Sequence, residues 1–219
     1  MTTATLVLHG YWRSSCTWRV RIALAYKGVD YESVPVHLLR EGGEQHASEH
    51  RRLNPMAQVP VLVVNGTPLA QSMALLEYLE EVYPTPPLLP RDPLVRARAR
   101  QIAETINSGI QPLQNIGVMR RLQSDFHADA AAAQAWSRTW IAHGLTAVEA
   151  LVTAYGGGCC VGDEVTFADL CLVPQLFNAR RFSVDVTPFP NLLRVESGLS
   201  SHPAFEAAHP SRQPDAENL

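Results

Sequence analysis

The first third of the chain alternates short apolar runs with helical spacing, and everything after it is helical. Thr5 to Leu8, closing at His9-Gly10, reads as a strand. A polar loop, Trp12-Arg13-Ser14-Ser15, leads into a helical pattern over 16–27 that Gly28 stops. Tyr31 to Val36, apolar at alternate positions around Pro35, predicts a second strand. A strand-helix-strand unit of this length is a right-handed crossover between parallel strands. Arg40-Glu41-Gly42-Gly43-Glu44 is polar and turn-like, a surface loop. Val59–Val64 and Thr67–Ala70 flank Asn65-Gly66, which predicts a hairpin at the edge of the sheet. Met73, Leu75, Leu76, Leu79, Val82 and Tyr83 then fall on helical spacing that ends before Pro84.

The order β-α-β-(loop or helix)-β-β-α predicts a thioredoxin-like α/β domain over residues 1–84. Pro84, Pro86, Pro87, Pro90 and Pro93 follow within ten positions, so 85–92 is a linker. Asp92-Pro93 restarts the chain as N-cap and first helical residue. Helices are expected at 93–122, 128–155 and 167–180, with shorter ones near 190–199 and 203–208. Gly156-Gly157-Gly158 ends the second. Thr166-Phe167-Ala168-Asp169 opens the third as a capping box, with Val165 and Leu170 placed to staple it. Residues 93–219 are thus expected to form one all-α domain.

Composition narrows the class. With 46% hydrophobic and 18% charged residues in 219, the chain can bury a sizeable core. A net charge of -3 gives no reason to expect a nucleic-acid partner. Cys16, Cys159, Cys160 and Cys171 contain no C-x-x-C, and a vicinal pair is poorly placed to bond to itself, so a reducing compartment is expected. Neither a secretory leader nor an unbroken apolar run of about 18 residues is present, and the expected location is cytoplasmic.

The chemistry concentrates in the first loop. Ser14, Ser15 and Cys16 sit where a helix offers free N–H groups and the positive end of its dipole, a place that holds or makes an anion. The plain alternative is a capping serine followed by a small core cysteine. Val59-Pro60 before the third strand is a candidate cis peptide beside which an extended ligand can pair with the Val59 backbone. Ser72, after Gln71, is expected to cap a helix beginning at Met73, an N-terminus suited to a carboxylate. Asn107, Gln111 and Asn115 recur at i, i+4, i+8 and are expected on one face of a helix that Pro112 kinks. Arg13 and the Arg180-Arg181 pair offer guanidinium groups to a carboxylate-bearing substrate. His46 and His50 lack the motif and third ligand of a metal site. Arg96, Arg98 and Arg100, without interleaved aromatics, read as a solvated helix surface.

Over essentially its whole length the chain resembles the zeta-class glutathione transferases. The resemblance is carried by Ser14-Ser15-Cys16-Thr17-Trp18-Arg19-Val20-Arg21, Asn54-Pro55-Met56-Ala57-Gln58-Val59-Pro60, Gln71-Ser72 and Gln111-Pro112-Leu113-Gln114-Asn115. Val161-Gly162-Asp163-Glu164-Val165-Thr166 and Asp169-Leu170-Cys171-Leu172-Val173-Pro174-Gln175 continue it. It implies the glutathione transferase fold, glutathione as cofactor and a homodimer. It assigns Ser14, Ser15 and Cys16, with Thr17, Trp18 and Arg19 beside them, to the thiol end. Val59 and Pro60 take the cysteinyl backbone, and Gln71 and Ser72 the γ-glutamyl end. Gln45, Gln111 and Asn115 complete the pocket. Arg13, Gln111, Asn115 and Arg181 are expected on the substrate side. Thr17 replaces a serine frequent in the family, and the two positions after Asn115 vary. The implied reaction is cis-to-trans isomerisation of maleylacetoacetate by reversible thiolate addition. Isomerisation of maleylpyruvate and conjugation or dehalogenation of small α-haloacids are alternatives, and a non-catalytic binding module is a rival of another class.

Overall fold

The structure is a computed structural model that describes residues 5–217. Four strands form one mixed sheet: β1 (Leu6–Gly10), β2 (Glu32–Pro35), β3 (Val61–Val64) and β4 (Thr67–Ala70), in the order β2-β1-β3-β4. β1 runs parallel to β2 and antiparallel to β3, and the Asn65-Gly66 turn joins β3 to the edge strand β4. This is the predicted thioredoxin-like arrangement.

Register fixes what lies at each end of the sheet. His9 pairs with Val61, Gly10 with Pro35, and Val61 with Ala70. The chain leaving β1, β2 and β4 and the chain entering β3 therefore share one end. Residues 11–16, 36–45, 59–60 and 71–72 gather there.

Helices α1 (Ser15–Tyr26), α2 (Ser48–Leu53) and α3 (Ser72–Val82) complete this part. α1 is buried nearly all round, from Ser15 to Leu24 with only Cys16 half-exposed. A helix without a solvent face must be covered on several sides. α3 covers part of α1, and α9 (Pro203–Ala208) covers another. The chain accordingly falls into two compact units, residues to Leu88 together with those from Ser201 onward, and Leu89–Ser200. The expectation of one helical domain over 93–219 is corrected at this point. Residues from 201 pack on the first unit, where Arg21 on α1 reaches Ala208 O, Trp18 meets His209 and Tyr26 stacks on His202.

The linker is also tied down within the first unit. Lys27, the one lysine of the sequence, donates from Nζ to Glu80 Oε2 at 2.7 Å, Tyr83 O at 2.7 Å and Pro86 O at 2.9 Å. Glu80 in turn accepts from Leu88 N at 3.0 Å. Lys27 and Glu80 are both buried, and the pair is matched by hydrogen bonds on each side, as a buried ion pair requires.

The second unit holds α4 (Pro93–Gly109), α5 (Ile116–Phe126), α6 (Ala130–Tyr155), α7 (Phe167–Arg181) and α8 (Pro190–Leu199). The predicted helix over 93–122 is two helices. α4 stops at Gly109, a 3₁₀ turn spans Gln111–Gln114, and Asn115 caps α5 by accepting from Gly117 N at 2.9 Å. Pro112 has no N–H to extend the α-helical ladder, and Asn115 offers a fresh start. Among the described residues no helix is long and apolar enough to cross a membrane.

Candidate functional site

The turn from Tyr11 to Ser14 carries β1 into α1. Ser14 N donates to Tyr11 O at 3.0 Å, and Trp18 N donates to Ser14 O at 2.8 Å. Ser14, with extended φ/ψ, is the N-cap, but its Oγ accepts from Thr17 N only at 3.3 Å. Ser15 is buried and Cys16 half-buried at the head of the helix. Thr17 packs on Gly10 so closely that a Cβ there would lie 2.3 Å from Thr17 Cγ2, and the buried Thr17 Oγ1 has no hydrogen-bond partner among the described residues. Arg13 lies over the Trp12 ring, 5.2 Å from its centroid. Trp18 and Arg19 face inward, at 2% and 0% exposure. Arg19 bears on the site through Ser72, whose Oγ accepts from its Nη1 at 3.3 Å.

The other three segments at this end of the sheet are each held by side chains. Gln45 is buried, crowded against Gly43 at φ 114, with Nε2 3.2 Å from His46 Nε2 and Oε1 without a partner among the described residues. Val59-Pro60 is a cis peptide, and Val59 is half-buried. The bend before it is tied by Asn54, which accepts from Met56 N at 3.1 Å and donates to Gln58 O at 2.9 Å, and by His50, whose Nε2 lies 3.0 Å from Gln58 O. Gln71 stands at φ 73, ψ 110 with its side chain exposed and takes the N-cap position, so Ser72, expected as the cap, is instead the first helical residue of α3.

His50 and Asn54 are the supporting residues that sequence reading passed over. Asn54-Pro55 did carry a signal, since an Asx turn before proline organises a loop. His50 had none, because its partner is a backbone carbonyl eight residues on. Its charge state touches another ring as well. His9, 6.5 Å from it between centroids, has its pKa lowered by burial and by His50, with Glu32 opposing.

In the second unit Asn107, Gln111 and Asn115 do not share a helix face, because α4 ends between the first two. Asn107 Nδ2 donates to Glu104 Oε2 at 3.2 Å, Gln111 is half-buried in the 3₁₀ turn, and Asn115 is the cap of α5. Gln114 is the buried carboxamide of this stretch, in a reciprocal pair with the fully buried Gln175 at 2.8 and 3.2 Å. Of the two arginines ending α7, Arg180 is engaged by both oxygens of Glu196 at 2.6 and 2.5 Å. Arg181 is exposed, with Nη1 3.2 Å from Asn178 Oδ1 and its guanidinium over the Phe182 ring.

All four cysteines are free thiols. Burial pushes the Cys159 thiol up to about 12, helped by Asp169, Glu164 and Asp163 against Arg194. Cys160 lies well above its ordinary value for the same first reason. Cys160 and Cys171 are fully buried, whereas Cys16 reaches solvent in part.

Comparison with known proteins bears on the fold and the family. The family model for the glutathione S-transferase N-terminal domain matches residues 4–81. The probable maleylacetoacetate isomerase 2 of Drosophila melanogaster is 51% identical, over 95% of this chain and 89% of its own length. A maleylacetoacetate isomerase from Anaeromyxobacter dehalogenans, solved with glutathione in the active site, superposes with a TM-score of 0.89. It is 48% identical and covers 99% of this chain and 100% of its own. A bacterial maleyl pyruvate isomerase, described as a zeta-class glutathione S-transferase, superposes with a TM-score of 0.93. There the identity is 43%, over 96% of this chain and 100% of that one. With near-complete coverage on both sides at such identity, the chain belongs to the maleylacetoacetate isomerase family of zeta-class glutathione S-transferases.

Proposed function

We propose that this chain is a glutathione-dependent cis–trans isomerase whose substrate is maleylacetoacetate and whose product is fumarylacetoacetate. The observation that carries the reading is the loosely occupied N-terminus of α1. There a helix dipole, Ser14, Ser15 and Cys16 meet at the same end of the sheet as Gln45, Val59-Pro60 and Gln71-Ser72. The residues fit glutathione: Gln45 Oε1 and Thr17 Oγ1 are buried polar atoms without partners among the described residues, and Ser14 Oγ retains a hydrogen to donate beyond its weak cap. A buried group of this kind is costly unless something satisfies it.

Glutathione supplies the nucleophilic thiolate that adds to the cis double bond and later departs. The chain's own residues do the rest. Ser14 or Ser15 donates to the thiolate, and the α1 dipole favours its charge. The Val59 backbone pairs with the cysteinyl unit of the tripeptide as an added strand. Ser72 Oγ, fixed by Arg19, and the N–H groups opening α3 take the γ-glutamyl carboxylate, with Gln71 and Gln45 alongside. Trp18, buried at the head of α1 against the His209 ring, is assigned a packing role. Arg13 and Arg181 are assigned to substrate carboxylates, with Gln111 and Asn115 as neutral donors. Cys16 stands below the serines in importance.

Maleylpyruvate is the second reading, since an enzyme named for that substrate is 43% identical and superposes, at a TM-score of 0.93, as well as one named for maleylacetoacetate. We also infer a cytoplasmic homodimer. Free thiols accord with a reducing compartment, and exposed Met56, Val82 and Leu94 leave apolar surface for a second copy. The test gives purified protein and glutathione both cis substrates and compares kcat/KM. Glutathione-dependent turnover of either supports isomerase chemistry, with the larger value naming the substrate. Turnover of neither overturns it.

A further inference from the structure

The stretch after α9 has no role in that reading, yet it touches two of the loops that carry it. Arg21, 3% exposed, spreads its guanidinium over three carbonyls. Nη2 donates to Trp12 O at 2.8 Å, Nε to Ala208 O at 3.2 Å and Nη1 to Tyr11 O at 3.5 Å. Tyr11 O is the atom that closes the turn onto Ser14 N. The Trp12 N–H, for its part, donates to Asp215 Oδ2 at 3.1 Å. Both backbone groups of Trp12 are therefore held, one by α1 and one by the chain beyond α9.

That chain is itself anchored. Gln213 Nε2 donates to Ala207 O at 3.1 Å and His209 O at 2.9 Å, and the His209 ring stands edge-on to Trp18 at 5.2 Å. Two residues past Asp215, Glu217 Oε1 meets Arg40 Nη2 at 2.7 Å and His37 Nε2 at 3.2 Å, on the loop that runs into Gln45. One short segment thus sets a carboxylate against each of two neighbouring loops.

We propose that residues 213–217 are a strap that holds the glutathione loops in their binding geometry, with Asp215 fixing the turn Tyr11–Ser14 through the Trp12 amide. Asp215 is a positioning residue: it bears on Ser14 and Arg13 through the backbone and touches no ligand. The inference rests on the glutathione reading. Its physical basis is preorganisation. A polar turn left with a free N–H samples other geometries, and ordering it on binding lowers affinity. A charge-assisted hydrogen bond supplies that order in advance.

The experiment measures glutathione affinity by calorimetry and the exchange rate of the Trp12 amide hydrogen, in wild type, Asp215→Ala and Asp215→Asn. Asp215→Ala is expected to weaken glutathione binding about tenfold. It should also speed Trp12 exchange while leaving Val20 to Leu24 protected. Asp215→Asn keeps an acceptor and should restore most of both. Should Asp215→Ala fail to fold, Asp215→Glu replaces it, with a weakening of roughly threefold expected because the carboxylate is displaced and not removed. Fast Trp12 exchange with unchanged affinity overturns the strap, and so does failure of Asp215→Asn to rescue. A wild-type chain that binds no glutathione overturns the underlying reading instead.

Discussion

Two helix N-termini in this protein carry the same kind of sequence signature, a hydroxyl residue before an apolar helix, and they end in opposite states. At α7 the groups are fully engaged. Asp169 accepts from Thr166 N at 2.8 Å, Thr166 Oγ1 at 2.9 Å and Cys160 N at 2.8 Å, with no exposure. Burial raises the Asp169 carboxyl, and the donors from Cys160 and Thr166 pull it back down. At α1 the cap is long, Ser14 and Cys16 are half-buried, and Thr17 Oγ1 has no partner among the described residues. A saturated cap stabilises a fold, while an unsaturated one at an accessible sheet end is chemistry in waiting.

The largest effect that separates the two belongs to Asp169. Asp169→Ala leaves buried donors without an acceptor and is expected to cost about 3–5 kcal/mol of unfolding free energy. Chemical denaturation reads it, and a loss under about 1 kcal/mol would remove the contrast. Next come the α1 serines. Ser14→Ala should cost no more than about 1 kcal/mol of stability. At least one of Ser14→Ala and Ser15→Ala should nonetheless lower kcat/KM by about a hundredfold, as removal of a thiolate donor does.

A smaller effect follows from His9 and His209. Burial lowers His209, with Arg21 and Arg212 adding to it, as burial and His50 lower His9. Below the ordinary imidazole value the unfolded chain binds protons that the folded rings refuse, so stability falls as pH drops through about 6.5. Denaturation midpoints at about pH 7.5 and 5.5 should differ in that direction, and less so in His9→Gln and His209→Gln. The smallest effect is expected from Cys16→Ser, a change in kcat/KM within about fivefold. A much larger loss would move Cys16 above the serines.

Most of the first unit was legible because its boundaries are local. Asn65-Gly66 makes the hairpin, Gly28 at φ 63 stops α1, and Pro84 follows the end of α3. The capping box at Thr166 and Asp169 is equally local. What escaped was either non-periodic or long-range. Ile106, Ile110 and Leu113 keep helical spacing straight through the break at Gly109, so only Pro112 and Asn115 announced it. Lys27 and Glu80 lie 53 residues apart, Trp12 and Asp215 203 apart. Pairings across such separations leave no pattern in a single chain, and the return of residues 201–217 to the first unit was invisible for that reason. The candidate site was readable as a set of loops, with Arg19 and Asn54 inside its motifs, but the hydrogen bonds by which Arg19, His50 and Asn54 hold those loops were not.

The central claim is that the N-terminus of α1 holds a borrowed thiolate. It is tested most directly by titrating the thiol of enzyme-bound glutathione through its thiolate absorbance, in wild type, Ser14→Ala and Ser15→Ala. The expected result is a bound thiol more acidic than free glutathione, with a return towards the free value in at least one variant. A bound thiol no more acidic than the free one, or one that neither substitution changes, would contradict it.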